Sequence, residues 1–186
     1  VGSFSRRNAL TIGLLLPLAA VALYAAIGNY GSLLPPDELN RRAMVDMEQN
    51  IAKLAQKMQQ DPQPEGLMML ARSYKSMARW DDAVAAFERI GAGLNSDAAM
   101  LAEFAEALAQ KNKSFEGRPR AMIQRALDID PKSQLALFLA GTDAVEGRRF
   151  AEATRHWSQL LPLLEPGSED ARMIEGAITM AHEQLA

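Results

Sequence analysis

His156 and His182 are the two histidines of the 186-residue sequence, and imidazole is the side chain best suited to acid–base or metal chemistry near neutral pH. Their spacing serves neither. No further ligand recurs at metal-binding distance, and the closing "HEQLA" lacks the second histidine of a zinc-protease helix. Without cysteine there is no thiol nucleophile, no thiolate metal site and no disulfide framework. Asp81 and Asp82 sit side by side where a helix should begin, and there they favour its dipole rather than catalysis. Arg41–Arg42 and Arg148–Arg149 read as solvated surface. No glycine-rich phosphate loop follows a strand. The residues thus point away from an enzyme, a metal and a cofactor. All 23 acidic residues lie beyond Pro36, with all but Arg6 and Arg7 of the 20 basic ones. The acidic balance of that part argues against nucleic acid, whose binders present basic patches.

What remains is binding, and a repeat decides which residues face a partner. "RSYKSMARWDDAVAAFERI" alternates rings with methyl groups, and a diluted copy returns as "GTDAVEGRRFAEATRHWSQLL". Leu67, Leu70, Ala71 and Tyr74 mark one helix, and Ala83, Phe87 and Ile90 its antiparallel partner. This is the tetratricopeptide pattern, in which a large residue of one helix enters the gap left by a small residue of the other. The second copy has Leu101, Phe104, Ala105 and Leu108, then Ile123 and Ala126. Its loop "KNKSFEGRPR" carries a two-residue insertion, with Pro119 in place of the small residue. The third has Leu137, Ala140, Gly141 and Ala144, then Ala153, Trp157 and Leu160. "PGSEDARMIEGAITMAHEQLA" follows as a closing helix with Ser168 as its N-cap. Such arrays need a polar-faced last helix to cover their final apolar edge.

The expected fold class is all-α: an N-terminal transmembrane helix, then a right-handed tetratricopeptide superhelix of three repeats plus a capping helix. The boundaries are a cytoplasmic flank at 1–7, the span at 8–30, a linker at 31–36, an amphipathic helix at 37–61, the repeats at 65–167 and the cap at 168–186. The uncharged run from Asn8 to Pro36 holds about the 20 apolar residues that cross a bilayer core. Arg6 and Arg7 before it place the N-terminus in the cytoplasm. A cleaved signal peptide is the other reading of this segment, and it too sends the rest across the membrane.

The first helix of each pair should line the inner groove. Met68, Arg72 and Lys75 face it from the first copy, Ala102 and Glu106 from the second, and Leu135, Phe138, Thr142 and Val145 from the third. The groove is then charged at one end and apolar at the other. Leu135, Phe138 and Val145 lie outside the packing pattern. They serve either as a pocket for the apolar face of a peptide helix or as packing for the closing helix, whose Met173, Ile174 and Ile178 need partners.

The order of "ALYAAIGN", "MEQNIAKLAQKMQQDP", "GLMMLARSYKSMARWDDAVAAFERI", "IQRALDIDP" and "FAEATRHWSQLLPLLEPGSE" resembles the CcmI (CycH) family of cytochrome c-type biogenesis proteins, related to NrfG. The likeness runs from about Arg6 to the end. It departs at Gly28, Asn29 and Tyr30, where the family often has a proline, and it lacks the family's usual first span. The resemblance implies a protein of the bacterial inner membrane with its repeats in the periplasm. It implies capture of apocytochrome c by its C-terminal helical segment and presentation to the haem-ligation membrane proteins. A structural subunit that docks partner proteins and binds no client is the alternative.

Overall fold

The structure, a computed structural model, describes residues 36–185. The expected flank 1–7 and span 8–30, with the linker as far as residue 35, lie outside these residues. Among the described residues every regular element is helical, and no helix is long and apolar enough to cross a membrane. Helix α1 spans Pro36–Gln60 and ends before the two prolines of "DPQP", the second of which is the first residue of α2. Proline suits a first helical turn because its missing N–H has no helical partner there.

Three antiparallel hairpins follow: α2 (Pro64–Ser76) with α3 (Trp80–Ile90), α4 (Ala98–Asn112) with α5 (Arg118–Ile129), and α6 (Gln134–Glu146) with α7 (Phe150–Leu160). Helix α8 (Glu169–Glu183) then packs on α7, and the Ser168 hydroxyl accepts from Ala171 N at 3.1 Å. Short 3-10 segments at Gly91–Ser96 and Leu161–Leu163 join hairpin to hairpin and hairpin to cap. The first and third hairpins share helix lengths of 13 and 11 residues. The insertion in the second shows as a longer first helix of 15 residues and a loop anchored by buried Phe115. Pro119 is buried in the first turn of α5, filling the place that Ala83 and Ala153 fill in the other copies.

The residues from Ile51 onward form one compact unit. Ile51 and Met58 of α1 are buried against the first hairpin, and Gly66 admits the Met58 thioether where a Cβ would collide with it. Phe87 and Phe104 stack at 5.3 Å between ring centres, which locks the first hairpin to the second. Pro36–Asn50, taken alone, exposes Met44, Val45 and Met47, and pairs Arg41 and Arg42 with Glu38.

Three hairpin turns place a side chain in the left-handed region: Ala78 at φ 55°, Lys113 at φ 54° and Arg148 at φ 57°. Arg79 N donates to Tyr74 O, Ser114 N to Ala109 O and Arg149 N to Ala144 O, so all three turns close their helices with the same kind of bond. Glycine usually takes this position; here the hairpin geometry holds residues with a Cβ.

Candidate partner-binding site

The first helices α4 and α6 touch along their backbones, while α2 and α4 stand further apart. Alanine explains the close pair, since Ala102, Ala105 and Ala109 keep α4 thin and are buried. The wider gap is a cleft of about 540 Å³, walled by Met68, Met69, Ala99 and Met100 and edged by Glu65 and Asp97. Charged side chains bridge it. Arg72 donates to both oxygens of Glu103, at 2.6 and 2.9 Å, and Lys75 donates to Glu106 at 2.6 Å. The bond to Glu103 raises the Arg72 pKa above its ordinary value, with the Glu103 charge adding to it. The cations that the repeat pattern assigns to the groove are therefore matched by carboxylates of the next helix.

An equivalent gap opens between α6 and α8. It is a furrow of about 250 Å³ lined by Leu135, Phe138, Leu160, Leu164, Met173 and Ile174, with Gln134 and Asp170 at its edge. Leu135 and Phe138 are half-buried. Phe138 packs on the cluster that includes Trp157 and Ile174, so it supports the cap and faces the furrow as well. Met173 is 52 % exposed. Val145 opens instead into a separate hollow of about 340 Å³, with Phe150, Trp157 and Met180.

The structure thus distributes the nine groove residues. Met68 and Arg72 belong to the first cleft, with Lys75 and Glu106 paired across the same two helices. Leu135 and Phe138 belong to the furrow and Val145 to the hollow. Thr142 is half-buried and its hydroxyl donates to Phe138 O at 3.0 Å. Ala102 is fully buried, and its contribution is the close approach of helices. Instead of one continuous groove, a closed α4–α6 seam separates two openings.

Glu103, Met69, Met100 and Asp97 lie outside the positions that the repeat pattern gives to the groove. A signal for the first was present. Arg72–Glu103 and Lys75–Glu106 are both 31 residues apart, three short of the 34 from Leu67 to Leu101. A residue one helical turn earlier in the next copy is thereby brought across the gap.

One expectation changes at the junction of the second and third hairpins. Arg149 is not solvated surface. It donates to the buried carboxylate of Asp143 at 2.7 Å and to Glu152 at 2.9 Å. Arg120 of α5 holds the other side of Asp143 with two bonds of 2.8 and 2.7 Å, and this hydrogen bonding raises the Arg120 pKa. Asp143 is therefore a link between hairpins, and no anion site is needed to explain Arg149. His156 is half-buried with its Nδ1 unpartnered among the described residues. Burial lowers its pKa, and the nearby Arg155 charge adds to that.

Comparison with known proteins settles what these hairpins belong to. The family model described as "Cytochrome c-type biogenesis protein H TPR domain" matches residues 34–171. The chain belongs to this family. Among its relatives is the cytochrome c-type biogenesis protein CycH of Pseudomonas aeruginosa, 32 % identical over 182 residues. The match takes in 95 % of this chain and 44 % of that protein, so the chain spans less than half the length of its relative. Two crystal structures of MamA share the fold, with TM-scores of 0.64 and 0.57. Both are 16 % identical, and the alignments cover 78 % of this chain and 82 % of each MamA chain. At that identity the likeness concerns the helical-repeat architecture alone. The family and the fold agree with the resemblance drawn from the quoted segments.

Proposed function

We propose that the chain is a membrane-anchored binding module of cytochrome c maturation, with its repeats in the periplasm. It takes the C-terminal helical segment of apocytochrome c and presents it to the haem-ligation proteins, and it performs no chemistry itself. Family membership supplies the process. The observation that carries the binding role is the furrow between α6 and α8, whose Leu135, Phe138 and Met173 leave apolar surface facing water. Apolar side chains at helical spacing are what an amphipathic segment buries in such a groove. The span at 8–30 would hold the module beside the ligation machinery, raising the local concentration of captured client.

The test is Phe138→Ala, titrated calorimetrically with the C-terminal peptide of an apocytochrome c. Loss of an anchoring ring weakens binding by about 1–3 kcal/mol. An unchanged dissociation constant in the folded variant removes the furrow from the client site. If pull-downs then recover haem-ligation proteins and no haem-free cytochrome, the chain is a docking subunit without a client.

A further inference from the structure

The cleft between α2 and α4 has more than twice the volume of the furrow, about 540 against 250 Å³, and the reading above makes no use of it. Its wall is thioether. Met69 is 60 % exposed, although the second copy has Glu103 at the same place and the third has Leu139, which is buried. Met69 thus contributes little to the core, and with half-buried Met100 it forms a soft apolar surface backed by buried Met68. Thioethers conform to partners of varied shape.

The charges at this cleft are unbalanced. Arg72 is held by both oxygens of Glu103, and Lys75 is held by Glu106. Among the described residues neither Glu65 nor Asp97 has a cation within the 4.0 Å of an ion pair. Asp97 Oδ1 already accepts from Met100 N at 2.9 Å, which fixes the carboxylate at the head of α4. Among the described residues the cleft therefore offers hydrocarbon and sulfur edged by two carboxylates that make no ion pair, Asp97 feeling the Arg72 charge only at longer range, and its one cation, Arg72, is already held by Glu103. A terminal carboxylate or an acidic peptide would meet Glu65 and Asp97 with like charge and would share Arg72 with Glu103.

We infer that the cleft between α2 and α4 is a second docking site, whose occupant is an amphipathic helix carrying Lys or Arg beside its apolar stripe. The stripe covers Met68, Met69 and Met100, and the cation meets Glu65 and Asp97. Complementary charge of this kind sets specificity and orientation more than raw affinity. The inference rests on the first cleft alone and does not require the α6–α8 furrow to bind anything.

The test uses the full chain and two designed peptides. Both carry leucine at i, i+3, i+4 and i+7; one places lysines beside the stripe and the other glutamates. The lysine peptide should bind about tenfold more tightly at low ionic strength, and the advantage should shrink as salt screens the pairs. Glu65→Gln with Asp97→Asn should cut that affinity about fivefold, a plausible sum for two partly exposed pairs. Asn preserves the cap of α4. Phe138→Ala should leave the lysine peptide unaffected. Equal affinities for the two peptides overturn the inference. So does a lysine peptide that responds to Phe138→Ala and ignores the double substitution, because it then sits in the furrow. If circular dichroism shows the double variant unfolded, Glu65→Gln at its exposed site decides alone, and an unchanged affinity there rejects the site.

Discussion

The two openings between first helices occupy equivalent places two repeats apart, yet ion pairs span one and hydrocarbon lines the other. Between α2 and α4, Arg72 and Lys75 reach across to Glu103 and Glu106. Between α6 and α8, Leu135, Phe138 and Met173 face each other. The anchors that hold each hairpin, such as Leu67, Ala71 and Phe87 or Leu137, Gly141 and Trp157, lie elsewhere on the helices. Inner-face chemistry is thus free to differ without altering the frame. The closed α4–α6 seam marks the third option, in which alanines bring the helices together and leave no opening. The width of each gap follows from side-chain size, and its chemistry from what spans it.

The largest expected effect comes from the frame of the furrow. Gly141 stands where the other copies have Ala71 and Ala105, and Trp157 stands where they have Phe87 and Ile123. The bigger ring has taken the space of the missing methyl, since a Cβ on Gly141 would run into the Trp157 indole. Trp157 Nε1 also donates to Phe138 O at 3.3 Å, so displacing the ring disturbs the furrow wall. Gly141→Ala should destabilise the chain by about 1–3 kcal/mol through overpacking, measured by urea unfolding. Adding Trp157→Phe should recover part of the loss, an interaction that a double-mutant cycle isolates. Peptide binding at the furrow should fall while binding at the α2–α4 cleft is kept. Equal losses at both would contradict the independence of the two regions.

Asp143→Ala comes next, at about 2 kcal/mol. Removing one partner of a buried pair leaves the other unmatched, but Arg120 and Arg149 are partly exposed and can turn to water, which limits the cost. The same urea titration reads it. The loss should again concern the third hairpin and its seam with the second, and a change confined to the first cleft would break the comparison.

Much of this frame was legible in the sequence, and the reason is local. Leu67, Ala71, Phe87 and their copies specify helix pairing through size alone, and size is read directly from residue type. The amphipathic helix before the repeats, the cap of α8 at Ser168 and the second-copy insertion at Pro119 follow from equally local rules. The inner face was less legible, because what a residue there does depends on its neighbour in the next copy. Arg72 and Lys75 look like free cations until Glu103 and Glu106 are brought beside them. Arg149 looks like surface until Asp143, placed by a helix that precedes it, turns out to be buried. Val145 shares its spacing with Phe138, yet it lies by the end of α8 at Met180 while Phe138 lies by its start at Met173, in a different hollow.

A pH dependence should separate the regions further, because neither of the first two repeats contains a histidine. The folded-state pKa of His156 is lowered, so the unfolded chain binds a proton more readily than the folded one. Stability from this residue is fully present above the unfolded value of about 6.5 and is lost as pH falls from there through the folded pKa. Asp143, Glu152 and Arg155 face it with their own charges. Thermal unfolding between neutral and mildly acidic pH should show the decline, and His156→Gln should flatten it. An unaltered slope in that variant assigns the acid sensitivity to carboxylates elsewhere.

Glu103→Gln should have the smallest effect on stability and the most local effect on binding. Glu103 is mostly buried, but Arg72 is more than half exposed and Lys75 keeps its shorter bond to Glu106, so the loss is about 1 kcal/mol and smaller at high salt. The loss should accordingly shrink when unfolding is repeated in concentrated salt. The freed Arg72 then brings an unpaired positive charge to the edge of the methionine cleft. A lysine-bearing peptide should bind there more weakly than to the native chain, while the furrow lined by Phe138 keeps its affinity. If Glu103→Gln leaves the lysine peptide untouched, the ion pairs merely set the spacing of α2 and α4. The distinction between an electrostatic opening and an apolar one then reduces to a difference in width.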